Sequence, residues 1–182
     1  YGRLSEIQHR LGQAEAAEAS LLKALEKKPD YAEALHGMAY LLHKKNKNKE
    51  SLNYIVSACK LQPKNVIYIS FKAIVLVAMH RYSEALDCYR QGLAISPDDP
   101  ALLNNYGNAL NDLGLLDESM VAYKKAMSMP NATPLAFSNL ITTMHYHPAY
   151  TGREIEKVCR QWNDKYAKTL VVQRQEASDK RP

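Results

Sequence analysis

Apolar residues of this chain recur at helical spacing, in blocks that repeat along the sequence. Four similar phrases of eight residues begin at Ala17, Ser51, Ala85 and Ser119, each 34 residues after the one before. Small residues open and close each phrase, and a large apolar residue lies between them. Residues at this spacing share one helix face. Each phrase therefore predicts a helix whose small positions let a neighbouring helix approach closely.

Prolines and turn residues divide the chain at the same interval. Pro29, Pro63 and Pro97 lie 34 residues apart, and Pro130 falls one residue short of the next step. An earlier helix in each period is predicted to end near a turn residue. Glycine adopts the left-handed conformation that often ends a helix and asparagine tolerates it, so a histidine is the weakest of these signals. The four turn residues are Gly12, Asn46, His80 and Gly114.

Capping patterns mark the helix starts. An acidic residue three positions after a cap residue resembles a capping box, and a proline directly after a cap residue fits the first helical turn. Each period therefore predicts a helix, a tight turn, a second helix and a short link. The capping pairs are Asp30 with Glu33, Thr151 with Glu154, Asp99 with Pro100, and Thr133 with Pro134.

A helix-turn-helix period of 34 residues resembles the tetratricopeptide repeat (TPR) family. Its signature positions are matched over about residues 1–146, most typically in residues 80–97, and the chain departs from them at Gln8, Lys72 and Asn131. The resemblance implies an all-α fold, a right-handed TPR superhelix or α-solenoid. It would contain about four and a half repeats plus a C-terminal capping helix. The preserved pattern disfavours an ordinary helical bundle with accidental spacing.

In the register of that family the chain divides into four repeats, a half repeat and a C-terminal part. The expected segments are 1–30 (TPR 1, truncated at its start), 31–64 (TPR 2), 65–98 (TPR 3), 99–132 (TPR 4), 133–147 (half repeat), 148–168 (capping or junction helix) and 169–182 (linker). The chain begins with Tyr1, and this start is interpreted as a position inside a longer protein.

The resemblance also implies a groove, formed by the first helix of each repeat, that binds a protein or an extended peptide. Carboxamides both donate and accept hydrogen bonds, so asparagines on this face suit the backbone of a bound segment. The alternative is that these positions are polar because water covers them. The groove candidates are His36, Tyr40, His43, Lys44, Asn104, Asn105, Asn108, Asn111, Asp112, Ser138, Asn139 and Thr142.

The third repeat carries apolar residues at its groove positions, namely Ile67, Phe71, Ile74 and Val77. A contiguous exposed apolar patch usually marks an interface. These residues therefore predict contact with another chain, a fused domain or a hydrophobic ligand segment, and self-association is included. Burial within the array by tight curvature is the alternative.

The C-terminal stretch resembles the junction between repeats and catalytic domain in bacterial relatives of the O-linked N-acetylglucosamine (O-GlcNAc) transferases. The phrases that carry the resemblance are Ser138-Asn139-Leu140, Tyr146-His147-Pro148 and Arg160-Gln161-Trp162. It implies a parent glycosyltransferase that uses a nucleotide sugar of the UDP-GlcNAc type. Many relatives have a histidine where this chain has Phe137, so no catalytic residue is assigned. A stand-alone TPR scaffold without an enzyme is the alternative.

Charge and composition restrict the classes of partner and the cellular location that we expect. The net charge of +5 comes largely from one basic run at residues 43–49, which is typical of a solvated turn and disfavours nucleic acid as the partner. No apolar run reaches membrane-spanning length, which disfavours a membrane location. Three widely spaced cysteines indicate a reducing, cytoplasmic setting. His145 and His147 alone do not complete a metal site, and no cofactor is expected in this fragment.

Overall fold

The computed structural model describes the backbone of residues 2–167 and the side chains of residues 13 and 15–167. All regular elements in this part of the chain are helical. They are α1 (Gly2–Lys27), α2 (Ala32–Lys44), α3 (Asn48–Leu61), α4 (Val66–Ala78), α5 (Tyr82–Ile95), α6 (Pro100–Asp112), α7 (Leu116–Ser128), α8 (Pro134–Tyr146) and α9 (Gly152–Trp162), followed by a π-helical turn (Asn163–Ala167).

The helices fall into two compact units, Tyr1–Pro97 and Asp98–Pro182. In the first unit α2 packs on α3, α3 on α4, and α4 on α5. In the second unit α7 packs on both α6 and α8, and α9 packs on α8. Within each unit the helices therefore pack mainly on helices adjacent in sequence, as expected for helix-turn-helix repeats.

Left-handed turns separate the helices of each pair at the predicted positions. Asn46, His80 and Gly114 have φ angles of 59°, 57° and 74°. The N–H of the following residue donates to a carbonyl five positions earlier, as in Lys47 to Leu42 (2.9 Å) and Leu115 to Leu110 (3.0 Å). This is the Schellman arrangement. The prediction of a turn at His80, the weakest of the sequence signals, is confirmed.

The prediction of a turn at Gly12 is wrong, because α1 (Gly2–Lys27) runs through this position without a break. Residues 13–19 are Gln, Ala and Glu only, all of which favour the helix. One glycine inside a helix costs only about 1 kcal/mol relative to alanine. The surrounding helix formers therefore outweigh it.

The capping predictions have mixed outcomes. Asp99 accepts hydrogen bonds from the N–H groups of Ala101 (2.9 Å) and Leu102 (3.0 Å) ahead of Pro100, as predicted. The capping box predicted at Asp30 is wrong. The N-cap of α2 is Tyr31, which makes no side-chain cap bond, and this shift of one residue places Asp30 before the helix. At α8, Thr133 precedes Pro134 as expected but makes no side-chain cap bond.

Small residues in the repeated phrases are buried where helices meet. Ser51, Ala58, Ala85, Ser119 and Ala126 have no exposed surface. The large residue between them is buried as well, for example Tyr123 in α7. This close packing bears out the helical pattern seen in the sequence.

Helix α9 begins with the predicted capping box and covers part of α7 and α8. The Glu154 carboxylate accepts hydrogen bonds from the Thr151 backbone N–H (2.8 Å) and hydroxyl (2.9 Å), and these bonds lower the pKa of Glu154. Ile155 packs in a buried cluster with Leu140 and Met144. Tyr166 donates to the carbonyl of Ala132 (3.0 Å).

Within residues 2–167, no helix combines the length and the apolar character that crossing a membrane requires.

Candidate functional site

Four asparagines of the second unit form a connected set, here called the amide row: Asn104, Asn108 and Asn111 of α6, and Asn139 of α8. Both hydrogens of the Asn139 amide are used, because its Nδ2 donates to Asn104 Oδ1 and to Asn108 Oδ1, each at 2.9 Å. The Thr143 hydroxyl lies 3.1 Å from Asn111 Oδ1. The structure therefore brings together four of the groove candidates that the sequence placed on one face.

Tyr123 of α7 fixes the orientation of the Asn108 side chain on α6. Its hydroxyl donates to Asn108 Oδ1 at 2.8 Å. Burial, reinforced by the charge of Asp112, raises the pKa of Tyr123 to about 12, so this donor keeps its proton at physiological pH. Asn108 Oδ1 accepts from both Tyr123 and Asn139, which occupies both of its lone pairs. The Asn108 amide nitrogen makes no hydrogen bond within the described residues.

Exposure separates the members of the amide row. Asn108 is exposed, and Asn111 and Asn139 are half-buried. Asn104 is only 6% exposed, because its side chain points from α6 towards α8, where it accepts a hydrogen bond from Asn139. Asn104 therefore positions its neighbour more than it faces a groove. Tyr123 and Thr143, which complete the network, were not among the candidates identified from the sequence. Their contribution depends on packing between helices.

The remaining polar candidates of this unit lie apart from the network. Ser138 and Thr142 return their hydroxyls to carbonyls of their own helix, those of Pro134 (3.2 Å) and Ser138 (2.9 Å). Asn105 is half-buried, and Asp112 is exposed at the end of α6. These residues add polar surface but no further cross-helix bond among those described.

A second set of candidates meets in the first unit around Phe71. The rings of His36, Tyr40 and His43 on α2 have centroids 5.2, 6.0 and 5.7 Å from that of Phe71 on α4. We call these four residues the ring cluster. His43 is also held by Asn48, with Nδ1 and Oδ1 2.8 Å apart. Burial lowers the pKa of His36.

The four apolar candidates of α4 differ in their exposure to solvent. Phe71 is only 8% exposed, because the rings of α2 cover it, which agrees with the alternative of burial within the repeats. Ile74 and Val77 are half-buried, and Ile67 is largely exposed. Lys44 is exposed, and its Nζ lies 5.4 Å from the Tyr40 ring centroid. An interface role for Ile67, Ile74 and Val77 stays a prediction.

The two histidines considered for metal binding are held separately. His145 Nδ1 lies 2.8 Å from the carbonyl oxygen of Ile141, and His147 Nε2 lies 3.2 Å from a carboxylate oxygen of Asp117. Among residues with described side chains, no group of three or more His, Cys, Asp and Glu residues could hold a metal ion.

Family models match four parts of this chain. Residues 1–31, 32–65 and 100–133 match the model described as tetratricopeptide repeat, and residues 75–114 match one described as TPR repeat. This chain belongs to the tetratricopeptide repeat family. TPR units are non-catalytic. The segment boundaries expected from the sequence stay a prediction in their detail.

Solved structures share the fold of this TPR chain. It is similar to the crystal structure of MamA protein, with a TM-score of 0.74 and 14% identity, over 91% of this chain and 89% of that one. It is also similar to YrrB, described as a TPR protein with an unusual peptide-binding site. That match has a TM-score of 0.67 and 19% identity, over 96% of this chain and 89% of that one. The predicted all-α TPR fold is confirmed.

A curated relative is similar in sequence to part of this TPR chain. It is the probable UDP-N-acetylglucosamine–peptide N-acetylglucosaminyltransferase SPINDLY of Hordeum vulgare, with 30% identity over 100 residues, or 55% of this chain. The match spans only 10% of that protein.

Proposed function

We propose that this TPR chain is a protein-interaction module whose amide row holds the backbone of an extended segment of a partner protein. The observation that carries the proposal is the direction of the asparagine side chains. The carboxamide oxygen of the exposed Asn108 accepts from Asn139, so the Asn108 amide nitrogen keeps its hydrogens for another acceptor. Asn139 in turn keeps its carboxamide oxygen for a donor.

The spacing of these groups suits an extended backbone. Residues three or four positions apart on α6 are separated by about 4.5–6 Å along the helix axis. Alternate carbonyls of an extended chain lie about 6.7 Å apart on one side. Because the network already fixes the asparagine rotamers, a peptide would order few side chains on binding. YrrB, which shares the fold, is described as having a peptide-binding site.

The amide row can be tested with peptides selected from a random twelve-residue phage-display library on the purified chain. We expect Asn108→Ala and Asn139→Ala each to weaken the selected peptides by about fivefold or more, the value of one or two hydrogen bonds. Asn131→Ala is the matched control, since Asn131 is exposed in the α7–α8 link and lies outside the row. Methylation of the peptide's backbone nitrogens should weaken binding as well. Unchanged affinity for both network variants would refute this site.

We further propose that the TPR chain is part of an O-GlcNAc transferase-like glycosyltransferase. The support is the similarity to the SPINDLY relative and the three C-terminal phrases of residues 138–162. Phe137, at the position where many such relatives have a histidine, is buried and has its ring centroid 5.5 Å from that of Tyr166. Phe137 has no acid, base or nucleophilic group, so it cannot take the role of that histidine.

The parent activity has a direct test. The intact protein, expressed from its whole gene, should bind UDP-GlcNAc in isothermal titration calorimetry and hydrolyse it slowly without an acceptor. UDP-glucose is the comparison ligand. If the intact protein neither binds nor hydrolyses either nucleotide sugar, the glycosyltransferase hypothesis is wrong and the stand-alone scaffold hypothesis replaces it.

A further inference from the structure

The ring cluster of the first unit presents one tyrosine to solvent and supports it from behind. Tyr40 is 47% exposed, while its ring packs on Phe71 at a centroid distance of 6.0 Å. His36 and His43 contact Phe71 edge-on and restrict its movement. A ligand that covers Tyr40 therefore meets a ring whose rotamer is already restricted, which lowers the entropic cost of binding.

The surface beside Tyr40 carries positive charge that is only partly balanced. The basic run at residues 43–49 begins at the end of α2. Lys45 pairs with Glu18, and Lys47 pairs with Glu50 at 3.6 Å. Lys44 and Lys49 contact no carboxylate among the residues whose side chains are described. An unpaired ammonium next to an exposed aromatic ring is complementary to a carboxylate beside an apolar group.

We propose that Tyr40 and Lys44, supported by Phe71, bind an acidic segment of a partner protein. One aromatic side chain of that segment covers the Tyr40 ring, and flanking Asp or Glu carboxylates lie beside Lys44. Ile67 is largely exposed and lies one helical turn before Phe71, on the same face of α4.

This inference goes beyond the amide row, because it concerns other helices and a different chemistry. The amide row would hold a peptide backbone of any sequence, whereas Tyr40 and Lys44 would select for acidic and aromatic residues. The observations favour a peptide over a nucleic acid. Single-strand binding needs successive stacking rings along a basic groove. Here Tyr40 is the one exposed ring of the cluster, and Glu18 and Glu50 neutralise two of the nearby lysines.

The test uses fluorescence anisotropy with the labelled peptide acetyl-Glu-Glu-Trp-Glu-Glu-amide. We expect binding that weakens as salt is added and that falls by about fivefold or more in Tyr40→Ala and in Lys44→Gln. Replacing the four glutamates of the peptide by glutamine, or its tryptophan by alanine, should lower affinity by a similar factor. Circular dichroism checks that each variant keeps its helices.

Lys28→Gln is the matched control, since the Lys28 Nζ also lies over a tyrosine ring, 5.7 Å from the centroid of Tyr31, but outside the ring cluster. It should change the affinity by less than about twofold. Asn108→Ala should leave this peptide unaffected, which separates the inference from the amide row. Equal loss in Lys28→Gln and Lys44→Gln would overturn the proposal, as would equal binding of the glutamate and glutamine peptides. An oligothymidylate that displaces the peptide and binds more tightly would overturn it in favour of nucleic acid.

Discussion

At the scale of single residues, the Tyr123 ring occupies the space that a side chain at Gly107 would need. A Cβ atom at Gly107 would lie 2.5 Å from Cε1 and 2.8 Å from Cδ1 of Tyr123. Real Cβ atoms do not approach other atoms so closely, and the Tyr123 ring is buried with little room to move. The absence of a side chain at Gly107 therefore allows Tyr123 to reach Asn108.

We expect Gly107→Ala to destabilise the chain by about 1–3 kcal/mol, the usual cost of overpacking. It should also weaken peptides that bind the amide row, because Tyr123 would shift away from Asn108. Urea unfolding measures the first effect. Gly152→Ala is the control, since a Cβ there meets nothing within 4 Å, and it should be neutral. A Gly107→Ala variant as stable as the wild type would show that α6 and α7 separate easily.

The Tyr123 hydroxyl should make stability depend on alkaline pH. A tyrosine in the unfolded chain ionises near pH 10, whereas the pKa of Tyr123 in the folded chain is raised to about 12. Above pH 10 the unfolded state loses this proton first. The stability linked to Tyr123 is therefore complete below about pH 10 and is lost as pH rises through about 12.

Tyr123→Phe removes this ionisation, so its unfolding free energy should fall less steeply than that of the wild type between about pH 10 and pH 12. At neutral pH the same variant should be less stable by about 0.5–1.5 kcal/mol, because Asn108 loses a donor. Urea midpoints across this pH range measure both effects. Parallel pH profiles for the two proteins would contradict the assignment of the raised pKa to Tyr123.

At the scale of helices, the sequence predicts what depends on local backbone preference. The turns at Asn46, His80 and Gly114 recur at the same step of the repeat and are found where expected. The turn predicted at Gly12 is absent because the neighbouring residues are strong helix formers. The asparagines of α6 were placed on one face from the register of the repeat family. Their bonding directions depend on Tyr123 and Thr143, which come from other helices and are visible only in three dimensions.

Helix α7 offers a paired test of helix packing. Ala126 is 0% exposed, and Val121 on the same helix is 67% exposed. Ala126→Arg should lower the unfolding free energy by more than about 3 kcal/mol, because a long charged side chain has no space between packed helices. Val121→Arg adds the same side chain and charge and should change it by less than about 0.5 kcal/mol. Thermal melts followed by circular dichroism compare the two. Equal melting temperatures would show that Ala126 is not a helix contact.

At the scale of the whole molecule, packing follows chain order within each unit, and the proposed binding surfaces lie on different units. The ring cluster combines residues of α2 and α4, and the amide row combines residues of α6 and α8. In each case the two helices belong to successive repeats. Such surfaces exist only once neighbouring repeats have stacked. The sequence analysis offered the residues of both surfaces as candidates and gave burial of Phe71 as an alternative. It did not predict the burial of Asn104, which depends on the facing helix.

For the intact parent, we expect deletion of the repeats to abolish modification of protein substrates while sparing binding of the nucleotide sugar, because the repeats would hold the substrate and not the donor. Transfer of labelled sugar to protein and calorimetric binding of UDP-GlcNAc measure the two separately. Asn108→Ala in the intact protein is the milder counterpart and should reduce transfer without abolishing it. Loss of donor binding on deletion would instead make the repeats a support for the enzyme's own fold.

The bond from Asn139 to Asn104 joins residues 35 positions apart, one residue more than the 34-residue repeat. The spacing between successive asparagine-bearing helices is therefore fixed by the length of the repeated unit. A duplicated copy of residues 100–133 would add a further set of amides at the same interval, and a partner would need a longer stretch of unfolded chain to contact them all. Repeat number would then set the minimum length of disordered tail that the protein accepts, independently of the tail's sequence.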